Sequence, residues 1–250
     1  MKKHLGSVLL ALFTLQLLTA ATGQAQPSAT APATIQPVSR LQSAWWKERQ
    51  AAKSQRIAQG NVDLLFIGDS ITHGWENSGR KIWDQYYAKR NAVNLGFSGD
   101  RTQHVLWRLL NSPLERISPK LAVLMIGTNN AATDSPEDIA AGVRAIVELL
   151  REKLPETRVL VLAIFPRGPH ADAKLRQVNE AANAIIKNLA DSKRVYYLDI
   201  GQKFLTDDGV LTKEIMPDFL HPHEKGYAIW AQAIEPTVHE LLGEKQPVRR

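Results

Sequence analysis

Four short clusters in this chain carry the residue types of acyl transfer. The first is Gly68-Asp69-Ser70, which ends the apolar run Leu64-Leu65-Phe66-Ile67. The second is Gly96-Phe97-Ser98-Gly99-Asp100, the third Gly127-Thr128-Asn129-Asn130, and the fourth Asp218-Phe219-Leu220-His221-Pro222. A serine hydroxyl attacks nothing at neutral pH without a base, a group that orients the base, and donors for the oxyanion. Ser70 is the candidate nucleophile. His221 is the candidate base, taking the hydroxyl proton and returning it to the leaving alcohol. Asp218 lies three residues earlier, a separation that lets a carboxylate in a turn reach the other ring nitrogen and fix the tautomer. The oxyanion donors on this reading are the backbone N–H groups of Ser70 and Gly99 and the side-chain amide of Asn129. A neutral amide donates to developing negative charge without adding an acid that quenches the base.

These clusters are distant in sequence and need elements that gather them. The apolar runs at residues 64–67, 92–95, 121–126, 158–164 and 195–198 read as strands. Helical patterns alternate with them: 41–59, the Ile82-Trp83 and Tyr86-Tyr87 spacing, 102–110, 136–153, 171–191 and 224–242. Ser135-Pro136-Glu137-Asp138 is a helix start, with Ser as N-cap, Pro at the first position and acids in the first turn. Such alternation predicts one three-layer α/β/α sandwich around a five-stranded parallel sheet. Parallel strands place the first three clusters at one sheet edge, the edge where open α/β sheets bind ligands. The chain returns there after the fifth strand with the fourth cluster.

The chain has 250 residues, 44% of them hydrophobic, a formal net charge of +6 and no cysteine. Disulfides, thiolate metal sites and a thiol nucleophile are therefore excluded. Basic residues form no dense block interleaved with aromatics, so nucleic acid is not an expected partner. Lys2-Lys3-His4, the mostly apolar residues 5–21 and the small residues at Gly23-Gln24-Ala25 are expected to form a signal peptide, cleaved after Ala25. No stable membrane anchor remains after that cleavage, and the mature protein is expected to be secreted or periplasmic. Residues 26–40, rich in Pro, Ala, Thr and Ser, are expected to be a flexible tether. The catalytic domain is expected over 41–245. The pair Trp45-Trp46 is expected to pack beside the first strand.

The four blocks together resemble the SGNH hydrolase superfamily, also called the GDSL esterase/lipase family. Phe66-Ile67-Gly68-Asp69-Ser70-Ile71-Thr72 resembles the nucleophile block, which implies Ser70. Asn94-Leu95-Gly96-Phe97-Ser98-Gly99-Asp100 resembles the second block, which implies Gly99 as an oxyanion donor. Gly127-Thr128-Asn129-Asn130 implies Asn129, and Asp218-Phe219-Leu220-His221-Pro222 implies Asp218 and His221. The resemblance spans residues 62–233 and implies the flavodoxin-like fold of that superfamily. Within it, residues 99–109, 127–130 and 166–168 look most like the catalytic subunits of platelet-activating factor acetylhydrolase. Those subunits prefer short acyl groups and are intracellular, and the expected signal peptide departs from them. Secreted relatives with this look often remove acetyl groups from carbohydrates. The α/β-hydrolases differ, because their nucleophile lies in G-x-S-x-G and here the second residue after Ser70 is Thr72.

The expected function is thus a secreted serine esterase for short acyl esters, chiefly O-acetyl groups on a saccharide or other small molecule, with no cofactor or metal. The alternative is a lipid acetylhydrolase or lysophospholipase. More remote are a metal site at Asp218, His221 and His223, or a non-catalytic carbohydrate-binding protein. Asp69 is expected to hold its loop and His73 to be structural. His104 stands between the pocket edge and packing. Arg101 and Arg167 stand between substrate contacts and solvated charges.

Overall fold

The apolar runs pair as five parallel strands. The structure, a computed structural model, describes residues 31–244. The strands are β1 (Leu64–Gly68), β2 (Ala92–Gly96), β3 (Leu121–Met125), β4 (Arg158–Leu162) and β5 (Val195–Leu198). Their order in the sheet is β2-β1-β3-β4-β5. The register pairs Gly68 of β1 with Gly96 of β2 and with Met125 of β3, so three strand ends lie level beside one another. Among the described residues, seven α-helices connect and cover the strands: α1 (Ala44–Ala58), α2 (Ser70–His73), α3 (Arg80–Tyr86), α4 (Thr102–Leu110), α5 (Pro136–Lys153), α6 (Lys174–Ile186) and α7 (Glu224–Leu242).

Alternating strand residues feed two cores. Leu65, Ile67, Ala122 and Leu124 join Ile57 of α1 and the apolar faces of α4, α5 and α6. Leu64, Phe66, Val123 and Met125 join α3 and α7 on the other side, with Trp75, Tyr87, Tyr227 and Trp230 packed ring against ring. This is the expected α/β/α sandwich. Ser135 caps α5 as expected, its Oγ accepting from Asp138 N at 3.1 Å.

Four differences from the expected elements stand out. The fourth strand ends at Leu162, not 164. Beyond it the Asn183 side chain takes over the pairing of Ile164, accepting from its N–H at 2.8 Å and donating to its carbonyl at 2.9 Å. The sixth helix begins at Lys174 and ends at Ile186, continuing as one tight turn through Leu189. The aromatic pair divides: Trp46 is fully buried, whereas Trp45 is 41% exposed.

The fourth difference corrects the expected tether. Residues 26–30 and the expected signal peptide lie outside the described residues. Residues 31–40, however, are docked on the domain. Thr34 is fully buried, donates from Oγ1 to the Asp138 carbonyl at 2.6 Å, and accepts at its own carbonyl from Thr102 Oγ1 at 2.9 Å. Val38 N donates to the Gln103 carbonyl at 3.1 Å. Composition reads Pro, Ala and Thr as linker residues. Here Thr34 and Val38 bond to groups of α4 and α5 instead.

One buried ion pair ties these parts together. Asp100 and Arg108 are 0% and 1% exposed, and Arg108 Nε donates to Asp100 Oδ2 at 2.6 Å. Asp100 Oδ1 also accepts from Trp46 Nε1 at 2.8 Å and from Arg40 Nη1 at 3.1 Å. The Arg108 guanidinium lies 3.9 Å from the Phe97 ring centroid and reaches the Gly68 carbonyl at 3.3 Å. Removing Arg108 leaves the buried Asp100 Oδ2 without its hydrogen bond and the carboxylate with only the part-exposed Arg40 as counter-charge. Arg108→Met is therefore expected to lower unfolding stability by about 3–5 kcal/mol. Adding Asp100→Leu should recover part of that loss, because the under-paired buried carboxylate is gone. Urea unfolding of the two variants checks both values, and equal stability of Arg108→Met and wild type would contradict them.

Candidate active site

Ser70 opens α2, directly after β1 and Asp69. Asp69 caps the helix, with Oδ1 accepting from Ile71 N at 3.0 Å. The helix lies close on the strand ends. A Cβ on Gly96 would overlap the backbone nitrogen of His73, so only glycine permits the approach. From the far end of the chain, Tyr227 of α7 donates its hydroxyl to the Ile71 carbonyl at 2.7 Å. The helix that follows His221 thereby pins the helix that carries Ser70.

The three expected partners meet. Ser70 Oγ lies 2.8 Å from His221 Nε2, and His221 Nδ1 lies 2.6 Å from Asp218 Oδ2. Asp218 Oδ1 accepts from the backbone N–H groups of Leu220 at 3.0 Å and His221 at 2.8 Å. This side-chain turn places Phe219 at φ +57° and folds the carboxylate back onto the ring three residues later. Burial alone pushes the Asp218 carboxyl up, but the hydrogen bonds from His221 and Leu220 outweigh it and hold the group below its ordinary range. Asp218 therefore stays ionised at neutral pH and can hold the ring as the Nδ1–H tautomer, leaving the Nε2 lone pair facing Ser70.

The expected oxyanion donors lie at the neighbouring strand ends. Gly99 has φ +76°, a left-handed backbone that glycine adopts without strain. Asn129 is half-buried, and its Nδ2 donates to the Asp100 carbonyl at 2.8 Å, joining the loops after β2 and β3. An amide nitrogen carries two hydrogens, so the second stays free to donate.

The other singled-out residues resolve as follows. His104 is a capping group: its Nδ1 accepts from Arg101 N at 3.0 Å, and burial first, against the opposing pull of Asp100, takes its pKa down to about 4. His73 pairs with Ser98 Oγ at 2.9 Å and stands beside the Trp45 ring. Arg101 Nη1 donates to Thr133 Oγ1 at 3.1 Å. Arg167 is half-buried and donates to Thr128 through Nη1, at 3.0 Å to the carbonyl and 3.2 Å to Oγ1. It steadies the loop that carries Asn129. The metal set of Asp218, His221 and His223 is not assembled. Both ring nitrogens of His221 are engaged, and among the described residues no group of three or more His, Asp or Glu is placed to hold a metal ion. Three residues that matter here escaped the sequence reading as site residues: Arg40, Arg108 and Tyr227. An arginine amid the apolar positions of residues 102–110 was a usable signal for Arg108. Nothing local pointed to Arg40.

Asp69 is wholly buried and its Oδ2 has no hydrogen-bond partner, and burial pushes its carboxyl up to about 7. In the unfolded chain the same group ionises near pH 3.9. Between those values the unfolded state sheds a proton that the native state keeps, so this group's contribution to stability falls as pH rises. Asp69→Asn removes the ionisation and keeps the acceptor for Ile71. Its unfolding stability relative to wild type is expected to rise steadily from pH 4 to pH 7. A pH-independent difference in denaturant titrations would contradict this.

The family model of the GDSL-like lipase/acylhydrolases matches residues 66–229. Platelet-activating factor acetylhydrolase IB subunit alpha1 of Homo sapiens is 38% identical over 187 residues, covering 74% of this chain and 78% of that protein. The alpha2 subunit of Rattus norvegicus is 38% identical over 183 residues, with 73% and 78% covered. Among solved structures, a GDSL-like lipase from Bacteroides thetaiotaomicron shares the fold with a TM-score of 0.60 at 19% identity, covering 77% of this chain and 97% of that one. An acetylxylan esterase from Geobacillus stearothermophilus shares it with a TM-score of 0.58 at 18% identity, covering 76% and 98%. Sequence, fold and the residues at the strand ends agree: the chain belongs to the GDSL-like lipase/acylhydrolase (SGNH) family and is a carboxylic ester hydrolase.

Proposed function

We propose that the protein is a serine esterase for short acyl esters, chiefly O-acetyl groups on carbohydrate, acting through an acyl-enzyme. The observation that carries the reading is the continuous relay from Ser70 Oγ through His221 to Asp218, at 2.8 and 2.6 Å. His221 Nε2 takes the hydroxyl proton as Ser70 Oγ attacks the acyl carbonyl, and the ionised Asp218 stabilises the imidazolium that forms. The N–H groups of Ser70 and Gly99 and the amide of Asn129 receive the oxyanion, each donor contributing on the order of 100- to 1000-fold in rate. Collapse of the tetrahedral intermediate expels the alcohol, which takes its proton from His221. Water, deprotonated by His221, then attacks the acyl-enzyme, and the departing Ser70 oxygen recovers its proton from the ring.

Two observations favour a short acyl group. Several relatives are named as acetylhydrolases, and structural neighbours are named as acetylxylan and carbohydrate acetylesterases. The large apolar side chains that are most exposed among the described residues are Val38, Leu41, Trp45 and Leu110. By contrast Phe219 and Leu220, in the loop that carries His221, are partly buried and pack against the core. The export signal expected over residues 1–25 favours an extracellular or periplasmic saccharide ester. The 38% identity to platelet-activating factor acetylhydrolase subunits supports a second reading, a lipid acetylhydrolase.

Initial rates on p-nitrophenyl acetate through octanoate, an acetylated xylo-oligosaccharide and an acetylated glycerophospholipid separate the readings. Acetyl release from the saccharide is expected to exceed that from the lipid, with rates falling as the acyl chain lengthens and no turnover by Ser70→Ala. Preference for the phospholipid would establish the second reading. Full activity in Ser70→Ala would overturn both.

A further inference from the structure

Arg40 stands where the sequence places a tether and the structure places the oxyanion glycine. Its Nη1 donates to the Ser98 carbonyl at 2.9 Å and to Asp100 Oδ1 at 3.1 Å, so it brackets Gly99 from both sides in sequence. The guanidinium turns its Nη1–Nη2 edge to that glycine: a Cβ built on Gly99 would meet Nη1 at 3.3 Å, Nη2 at 3.4 Å and Cζ only at 3.7 Å. Its side chain is 26% exposed, so the group sits between the buried core and the site.

The charges around it do not cancel. The Asp100 carboxylate faces two guanidiniums, Arg108 at 2.6 Å and Arg40 at 3.1 Å. His104, 4.0 Å from the same carboxylate, adds no charge near neutral pH, because burial keeps its ring deprotonated. Across the Phe97 ring, Arg49 and Lys53 share the single carboxylate of Glu76. Arg108 is buried and belongs to the core pair. With the neighbouring Asp69 carboxyl pushed up to about 7 and so mostly protonated below that pH, the surplus positive charge of the first cluster resides on Arg40, beside the peptide whose N–H is expected to receive the oxyanion.

The segment holding Arg40 is fixed in advance. Thr34 and Val38 anchor it to α4 and α5, and the Arg40 carbonyl accepts from Ser43 N at 2.9 Å at the entry to α1. A preorganised charge near developing negative charge stabilises it without reorganisation cost. We infer that Arg40 is a positioning residue of the oxyanion hole, holding the Gly99 N–H in place through Ser98 and Asp100 and supplying the positive charge that balances the tetrahedral intermediate. Residues 31–40 are on this view part of the active site, although they precede the stretch matched by the family model.

The inference rests on the serine esterase reading, and its test separates the two. Arg40→Gln and Arg40→Lys are compared with wild type on p-nitrophenyl acetate, a small ester with no ionised group for the guanidinium to pair with. Arg40→Gln is expected to lower kcat about tenfold with KM nearly unchanged, because the charge acts on the transition state more than on the substrate. Arg40→Lys keeps the charge and should recover most of kcat. A trifluoromethyl ketone, which adds to the serine as an anionic tetrahedral adduct, should bind Arg40→Gln weaker by the same factor as the loss in kcat. Unchanged kcat in Arg40→Gln, an equal loss in Arg40→Lys, or unaltered ketone affinity would each overturn the inference. If Arg40→Gln does not fold, Arg40→Lys and Arg40→Met carry the comparison through the same kcat and ketone measurements. Turnover that survives in Ser70→Ala would instead overturn the underlying esterase reading, whatever the Arg40 variants do.

Discussion

A buried carboxylate sets the constraint on which the catalytic edge depends. Asp100 has no exposure to water, and an unpaired charge there is not tolerable. Its oxygens are met by Arg108 of α4, Trp46 of α1 and Arg40 of the N-terminal segment. Those three groups come from three separate parts of the chain, so satisfying one charge fixes their relative positions. Asp100 directly follows Gly99, and its carbonyl accepts from Asn129. The need to neutralise Asp100 thus also fixes the backbone turn at Gly99 and the arm of Asn129. A hydrophobic substitute at position 100 would bury as well but would specify none of this geometry.

The second constraint is steric and acts between the halves of the relay. Gly96 lets α2 lie against the end of β2, and Tyr227 of α7 holds the Ile71 carbonyl. Ser70 and His221 are 151 residues apart in sequence and 2.8 Å apart in space. That proximity is a property of strand order. β1 lies between β2 and β3, the loops after all three open at one edge, and the segment after β5 folds back across it.

The layers and the relay were legible because their signals are local. Apolar runs of four to seven residues announce buried parallel strands, and Ser135-Pro136 announces a helix start. Gly-Asp-Ser and Gly-Thr-Asn each end such a run, so topology gathers them, whereas Asp-x-x-His lies in the irregular stretch after the fifth strand and was legible from its own spacing. The docking of residues 31–40 was not legible. Thr34, Val38 and Arg40 are bound through contacts with residues 58 to 104 positions away, and no local pattern carries that information. Their Pro- and Thr-rich surroundings pointed to a tether instead. The end of β4 escaped for a similar reason, since Ile164 is as apolar as its neighbours and only the Asn183 side chain shows that pairing has stopped. Trp45 and Trp46 are identical by type and adjacent in sequence, and helical rotation alone sends one to Asp100 and leaves the other partly in water.

The central claim is that Ser70 is a nucleophile activated by His221 within this one chain. Labelling with a fluorophosphonate, followed by peptide mapping, tests it most directly because the reagent reports the activated hydroxyl itself. One phosphonyl group per chain is expected, confined to Ser70. The labelling rate should collapse in His221→Ala. Labelling at another residue, or equal labelling of Ser70 in wild type and His221→Ala, would contradict the claim.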